Sequence, residues 1–130
     1  MKLTVLCDNC ARVGAYYLAE PGVAYLLEDG GVKILLDTGF SDAFARNAIK
    51  LGIDLSDLTA LVISHGHDDH TGGLVHLPDR KEKLPLYGHP QIFERKRLDG
   101  EEIGAPYSLE QAEQLFDLHL SAEPVQLSEH

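Results

Sequence analysis

Polar and apolar residues alternate over residues 2–7, and strand-like runs rich in apolar positions return over residues 23–28 and 32–37. A two-residue period lays one row of side chains against a core and the other outward, which predicts a β-strand over the first run, and the two apolar runs predict two further strands. Asp29-Gly30-Gly31 lies between the second and third, a composition that closes tight hairpins. Asp37-Thr38-Gly39-Phe40 then breaks the pattern and turns the chain. Ser41 is placed to cap a helix from about residue 42 to 51, with Ala43, Phe44, Ala48 and Leu51 apolar and Gly52 suited to its stop. After a loop at 54–57, residues 58–64 read as a fourth strand.

The second half is more broken. Residues 72–77 predict a short helix ended by Pro78-Asp79. Residues 84–88 predict a short strand, and Pro85 places it near an edge or at a strand start, because proline cannot donate to a ladder. Pro90 opens a helix expected to reach Leu98. Ser108-Leu109-Glu110-Gln111 is a capping box before a helix reaching Phe116, and a last short strand is expected at 124–127. With no repeats, low-complexity segments or linkers, residues 1–130 read as one domain of mixed strands and helices.

Composition narrows the function classes. Hydrophobic residues at 44% and charged residues at 25% are ordinary for a globular domain. No apolar run approaches the roughly 18 residues a membrane span needs, and the N-terminus lacks a signal-peptide pattern, so the expected location is cytoplasmic. A net charge of −10 argues against nucleic acid as a surface partner, which wants a basic face. Arg95-Lys96-Arg97 and Arg80-Lys81 read as a solvated face. Cys7 and Cys10 form a CxxC, too little for a disulfide framework and without the second pair of a four-cysteine zinc site. Two reduced thiols are the expectation; a redox- or metal-responsive module using them with the histidines is the alternative.

The chemistry concentrates in Ser64-His-Gly-His-Asp-Asp-His-Thr-Gly-Gly73, directly behind the fourth strand. Loops at strand C-termini are where α/β proteins commonly build sites. His65 and His67 alternate around Gly66 and can share a metal, with Gly66 letting the backbone approach it. Asp69 and His70 follow on the turn, aimed at a second position, and Thr71-Gly72-Gly73 gives the next helix a flexible start. Imidazoles with a carboxylate suit zinc, iron or manganese better than calcium or magnesium. Two such metals about 3.5–4 Å apart acidify a bridging water.

This run resembles the HxHxDH motif of the metallo-β-lactamase superfamily. Leu35-Leu36-Asp37-Thr38-Gly39 is similar to that family's LDTG turn, and Ser64 and Gly72-Gly73 also match. Asp8-Asn9, Asn47 and Tyr87-Gly88-His89-Pro90 resemble the branch that includes archaeal dihydropterin-linked phosphate synthases. The resemblance implies His65 and His67 on one metal, Asp69 and His70 on the other, zinc foremost, with iron or manganese as alternatives. It implies Asp37 as the residue orienting a ligand and Asp8 and Asn9 near the pocket. His89 either lines that pocket or is an ordinary histidine of a strand-to-helix turn. Asp69 would also orient a metal-activated hydroxide attacking an ester, phosphoester, thioester or amide of a small molecule. Asp68 stands where relatives often carry an aromatic, and His76, His119 and His130 match nothing in the motif. The implied fold is one αβ half of an αββα sandwich, a mixed or antiparallel sheet with helices on one face. The chain is therefore expected to be a truncated N-terminal half with weak metal occupancy, completed by a homodimer or by a second half from elsewhere.

Overall fold

In a computed structural model that describes residues 1–127, the N-terminal strands form as expected: β1 (Lys2–Cys7), β2 (Ala24–Asp29) and β3 (Val32–Leu36). Asp29 pairs with Val32, so the loop is the two residues Gly30-Gly31, both at positive φ. That loop requires left-handed backbone at both positions, which glycine adopts without a Cβ penalty. The chain then crosses through α1 (Ala43–Lys50) and enters β4 (Ala60–Ile63), which lies parallel to β3. A helical crossover is what a parallel neighbour demands, since a hairpin cannot connect parallel strands.

After β4 come a single helical turn, α2 (Asp68–Thr71), and a 3₁₀ segment at Gly72–His76. The helix expected at 72–77 thus begins four residues earlier, inside the histidine loop. β5 (Leu84–Gly88) pairs with β4 from Leu86 onward, leaving Pro85 ahead of that ladder at the strand's start. The sheet order is β1-β2-β3-β4-β5 and then the last strand, β8 (Phe116–Leu120), antiparallel over its first three strands and parallel over its last four.

Three expectations in the last third are corrected. The helix from Pro90 is only a 3₁₀ turn, Pro90–Phe93. The Lys96 ammonium caps the Gln91 and Glu94 carbonyls at 3.0 and 3.1 Å, and the chain turns into a hairpin of β6 (Arg97–Leu98) and β7 (Glu101–Glu102). Its loop is Asp99-Gly100, both at positive φ, a hairpin signal that a helical reading passes over. α3 (Leu109–Leu115) carries the capping box, Gln111 N to Ser108 Oγ at 3.2 Å and Ser108 N to Gln111 Oε1 at 2.9 Å. It runs without a loop into β8 (Phe116–Leu120), parallel to β5. Phe116, Leu118 and Leu120 have strand period, and the core on one side of β5 selects it. Residues 124–127, expected as a strand, lie outside any regular element. His130 lies outside the described residues.

The two faces of the sheet differ. Leu26, Leu35, Leu61, Ile63 and Leu86 are buried with Phe44 of α1, Leu74, Ile92 and Ala112 of α3 in one core. On the other face Leu3 and Val5 are exposed, and Tyr25, Leu27, Ile34, Leu36, Val62 and Tyr87 are half-buried. Among the described residues no helix is long and apolar enough to cross a membrane.

Candidate metal centre

Parallel pairing of β3 with β4 builds this site. Leu36 is in register with Val62, and the next residue, Asp37, donates its amide to the Val62 carbonyl at 2.8 Å. Asp37 thereby lands beside Ser64 although 27 residues separate them. It is 1% exposed and has φ +55, a left-handed conformation that a non-glycine residue keeps only when its neighbours over-determine it.

Those neighbours are hydrogen bonds. Asp37 Oδ1 accepts from the Ser64 amide at 2.7 Å, and Oδ2 accepts from the Ser64 hydroxyl at 2.6 Å and from His70 Nδ1 at 2.7 Å. A hydroxyl has one proton to give. Ser64 spends it on Asp37, so its 3.0 Å contact with His65 Nδ1 is one in which the imidazole donates. One carboxylate, directly at His70 and through Ser64 at His65, thus engages the Nδ1 side of both rings and leaves Nε2 as the atom each can offer a metal. This is the arrangement in which the other ring nitrogen of a metal-ligating histidine is held by a hydrogen bond. Burial, then the neighbouring His70 and His67, holds His65 below the usual imidazole range, which favours its neutral form.

A ligand atom from each of His65, Asp69 and His70 lies within 4.8 Å of the others. Two imidazoles and a carboxylate so placed fit a divalent transition metal. His67 stands beside this group, its ring edge-on to His65 with centroids 4.9 Å apart. Its backbone opens α2: the His67 carbonyl accepts from the amides of His70 and Thr71 and from the Thr71 hydroxyl.

The glycines act differently from the sequence expectation. A Cβ on Gly66 would lie 2.0 Å from the Ile92 carbonyl oxygen, so it is packing against the 3₁₀ turn that excludes a side chain. Gly72 and Gly73 likewise press on the Phe40 and Thr38 carbonyls, each at 2.2 Å from a Cβ. They give close packing of the ligand segment onto the 37–40 turn rather than a flexible helix start.

Other candidates go elsewhere. The Asp8 carboxylate accepts from the Cys10 amide at 2.8 Å, and Asn9 is exposed on the same loop. His89 Nδ1 accepts from Gln91 N at 3.2 Å and caps the 3₁₀ turn. His119 stacks on Tyr87 and bonds Asp117 on β8, and His76 is exposed at the end of its 3₁₀ segment. Cys7 is buried, its thiol pushed up to about 11 by burial and then by the negative charge of Glu20; Cys10 is exposed. A raised thiol is the reverse of what redox or metal-binding cysteines need. The sequence reading missed Glu20, whose carboxylate grips the 39–41 turn. No spacing rule links residue 20 to residue 41.

Comparison with known proteins agrees with this geometry. The chain is 29% identical over 99 residues to a 7,8-dihydropterin-6-methyl-4-(β-D-ribofuranosyl)-aminobenzene-5′-phosphate synthase of Methanocaldococcus jannaschii, covering 72% of this chain and 34% of that protein. It is 36% identical over 75 residues to a ribonuclease Z of Methanopyrus kandleri, covering 54% of this chain and 25% of that one. The solved structure of Tm1679, described as a metal-dependent hydrolase of the β-lactamase superfamily, superposes with a TM-score of 0.78 at 30% identity, over 98% of this chain and 44% of that one. This chain therefore spans from a quarter to under a half of these relatives' lengths. A profile of the metallo-beta-lactamase superfamily matches residues 18–125, and the chain belongs to that superfamily.

Proposed function

We propose that this domain is the metal-binding part of a metal-dependent hydrolase of small molecules. The observation that carries the reading is the Asp37 network, which engages the Nδ1 side of His65 and His70 while Asp69 stands beside both, its Oδ2 3.7 Å from His70 Nε2. Zinc is the first choice, with iron or manganese as alternatives for the same donors. When bound, such a metal supplies Lewis acidity and an acidified water near neutral pH. The chain's own residues do the rest. Asp37 and Ser64 hold the two imidazoles, Asp69 brings a carboxylate to the same point, and a depression of about 410 Å³ lined by Pro21, Phe40, His67, Asp68, Asp69 and Ile103 receives the substrate.

Ester, phosphoester, thioester and amide substrates all match that chemistry. A net charge of −10 favours a small molecule over a nucleic acid. The two free thiols suit a reducing compartment such as the cytoplasm. Completion of the ligand shell falls to a second αβ layer or a second copy, packed on the half-exposed face formed by Leu3, Val5, Tyr25, Leu27, Leu36 and Val62. Zinc and manganese titrations of the chain, alone and at dimer-forming concentrations, followed by a panel of chromogenic esters, phosphodiesters and thioesters, test the reading. Metal uptake abolished by His70→Ala supports it; absence of metal uptake at any concentration refutes it.

A further inference from the structure

The Glu20 carboxylate sits at the centre of a clamp that the histidine motif does not account for. Its Oε1 accepts from the amides of Phe40 and Ser41 at 2.8 and 2.9 Å, and its Oε2 accepts from the Ser41 hydroxyl at 2.5 Å. Bonds to an ionised acceptor are roughly twice as strong as neutral ones, so three of them on one turn are a firm grip. The Glu20 amide donates to the Asp8 carbonyl at 3.1 Å, which ties the clamp to the end of β1.

The gripped turn is bonded directly to the ligand segment. Thr38 donates to the His70 carbonyl from both its amide, at 2.9 Å, and its hydroxyl, at 3.0 Å. Gly73 donates its amide to the Gly39 carbonyl at 3.1 Å. Two residues beyond Glu20, Gly22 has φ +92 and lies so close to α2 that a Cβ there would be 1.6 Å from the Asp69 carbonyl oxygen. The 20–22 segment therefore touches the support of His70 on one side and the backbone of Asp69 on the other.

We infer that Glu20 is a positioning residue for the metal centre: its clamp on Phe40 and Ser41, the residues that follow Thr38 and Gly39, sets where Asp69 and His70 stand relative to His65. The inference rests on the metal-centre reading above. A purely structural staple would lower stability and leave the ligand geometry of the folded protein as it was. A positioning residue changes the geometry itself.

Cobalt(II) titration of the full chain separates the two, read both as Kd and as the visible absorption that reports cobalt geometry. Glu20→Ala removes all three bonds, whereas Glu20→Gln keeps a carbonyl acceptor and loses the charge. Residues supporting metal ligands typically carry 10–100-fold in affinity, so Glu20→Ala is expected to weaken cobalt by about tenfold with a shifted band, and Glu20→Gln by a few-fold. Leu84→Ala, at the far end of β5, is the control with a comparable loss of thermal stability. The inference is overturned if Glu20→Ala binds like the parent with the same spectrum, or if Leu84→Ala reproduces the change. Should Glu20→Ala not fold, the Glu20→Gln band and Kd decide alone. Failure of the parent chain itself to take up cobalt would bring down the metal-centre reading, and that result appears before any substitution is made.

Discussion

At the end of β1 the chain carries Cys7, Asp8, Asn9 and Cys10; at the end of β4 it carries His65, His67, Asp69 and His70. Both corners gather metal-binding residue types within a few positions of a strand terminus. At the first, the residues disperse: Cys7 turns into the core, Cys10 faces solvent, and Asp8 bonds its own loop. At the second, three donors converge. The difference lies beneath them. The β4 corner rests on a buried carboxylate, Asp37, that bonds to Ser64 and His70 and acts through Ser64 on His65. The β1 corner has a buried thiol with the negative charge of Glu20 beside it, which disfavours a thiolate. Local crowding of ligand types is therefore insufficient. A fixed acceptor from a distant strand converts it into a site.

Removing that acceptor should produce the largest effect. Asp37→Ala leaves the Ser64 amide, the Ser64 hydroxyl and the His70 imidazole without their shared acceptor, and each buried donor so stranded typically costs about 1–3 kcal/mol. Urea unfolding of the metal-free protein is expected to show a loss of that order, together with loss of measurable cobalt binding. Unchanged stability would erase the contrast between the corners. Next comes Ser64→Ala, which keeps the amide bond to Asp37 but severs the link to His65 Nδ1. Loss of one such support is expected to weaken cobalt by about tenfold, with roughly 1 kcal/mol of stability; equal affinity would show that His65 needs no tautomer control.

The thiols sharpen the other side. At pH 8 an alkylating reagent is expected to modify exposed Cys10 in the native protein and to spare Cys7, as peptide mapping would show. Equal rates would mean that the β1 corner is open after all. Cys7 also makes stability depend on pH. Its folded value of about 11 lies above the ordinary 9.0, so the folded protein holds a proton that the unfolded chain releases. That contribution is complete below pH 9 and is lost as pH rises toward 11. A Cys7→Ser variant should flatten this part of a stability–pH curve, and an unchanged slope would assign it to other groups. The smallest effects belong to the remaining imidazoles. His89→Ala and His119→Ala should change cobalt Kd by less than about twofold, since neither ring lies in the three-residue group. A tenfold loss in either would move the site boundary.

Much of this was legible in local sequence. Alternation located β1, apolar runs located β2 and β3, the Gly-Gly loop set the hairpin between these two, and the histidine run marked the site. The hairpin at Asp99-Gly100 carried a readable turn signal that the preceding proline obscured. β8 was missed because a capped helix runs straight into it, with no loop to announce the change of period. Glu20 was missed because its partners lie about twenty residues away, on a turn whose approach no periodicity encodes.

The sequence by itself determined which chemistry is available: imidazoles, a carboxylate and their place behind a strand follow from residue types and short-range period. Only the tertiary structure decided which of them share a point. That choice depends on the parallel register of β3 with β4, which seats Asp37 beside Ser64, and on close backbone packing of residues 20–22 and 37–40 against α2. Hydrogen bonds across strands and carbonyls pressed on glycines are set by distance in space. Spacing along the chain carries that information only where the turn between is short.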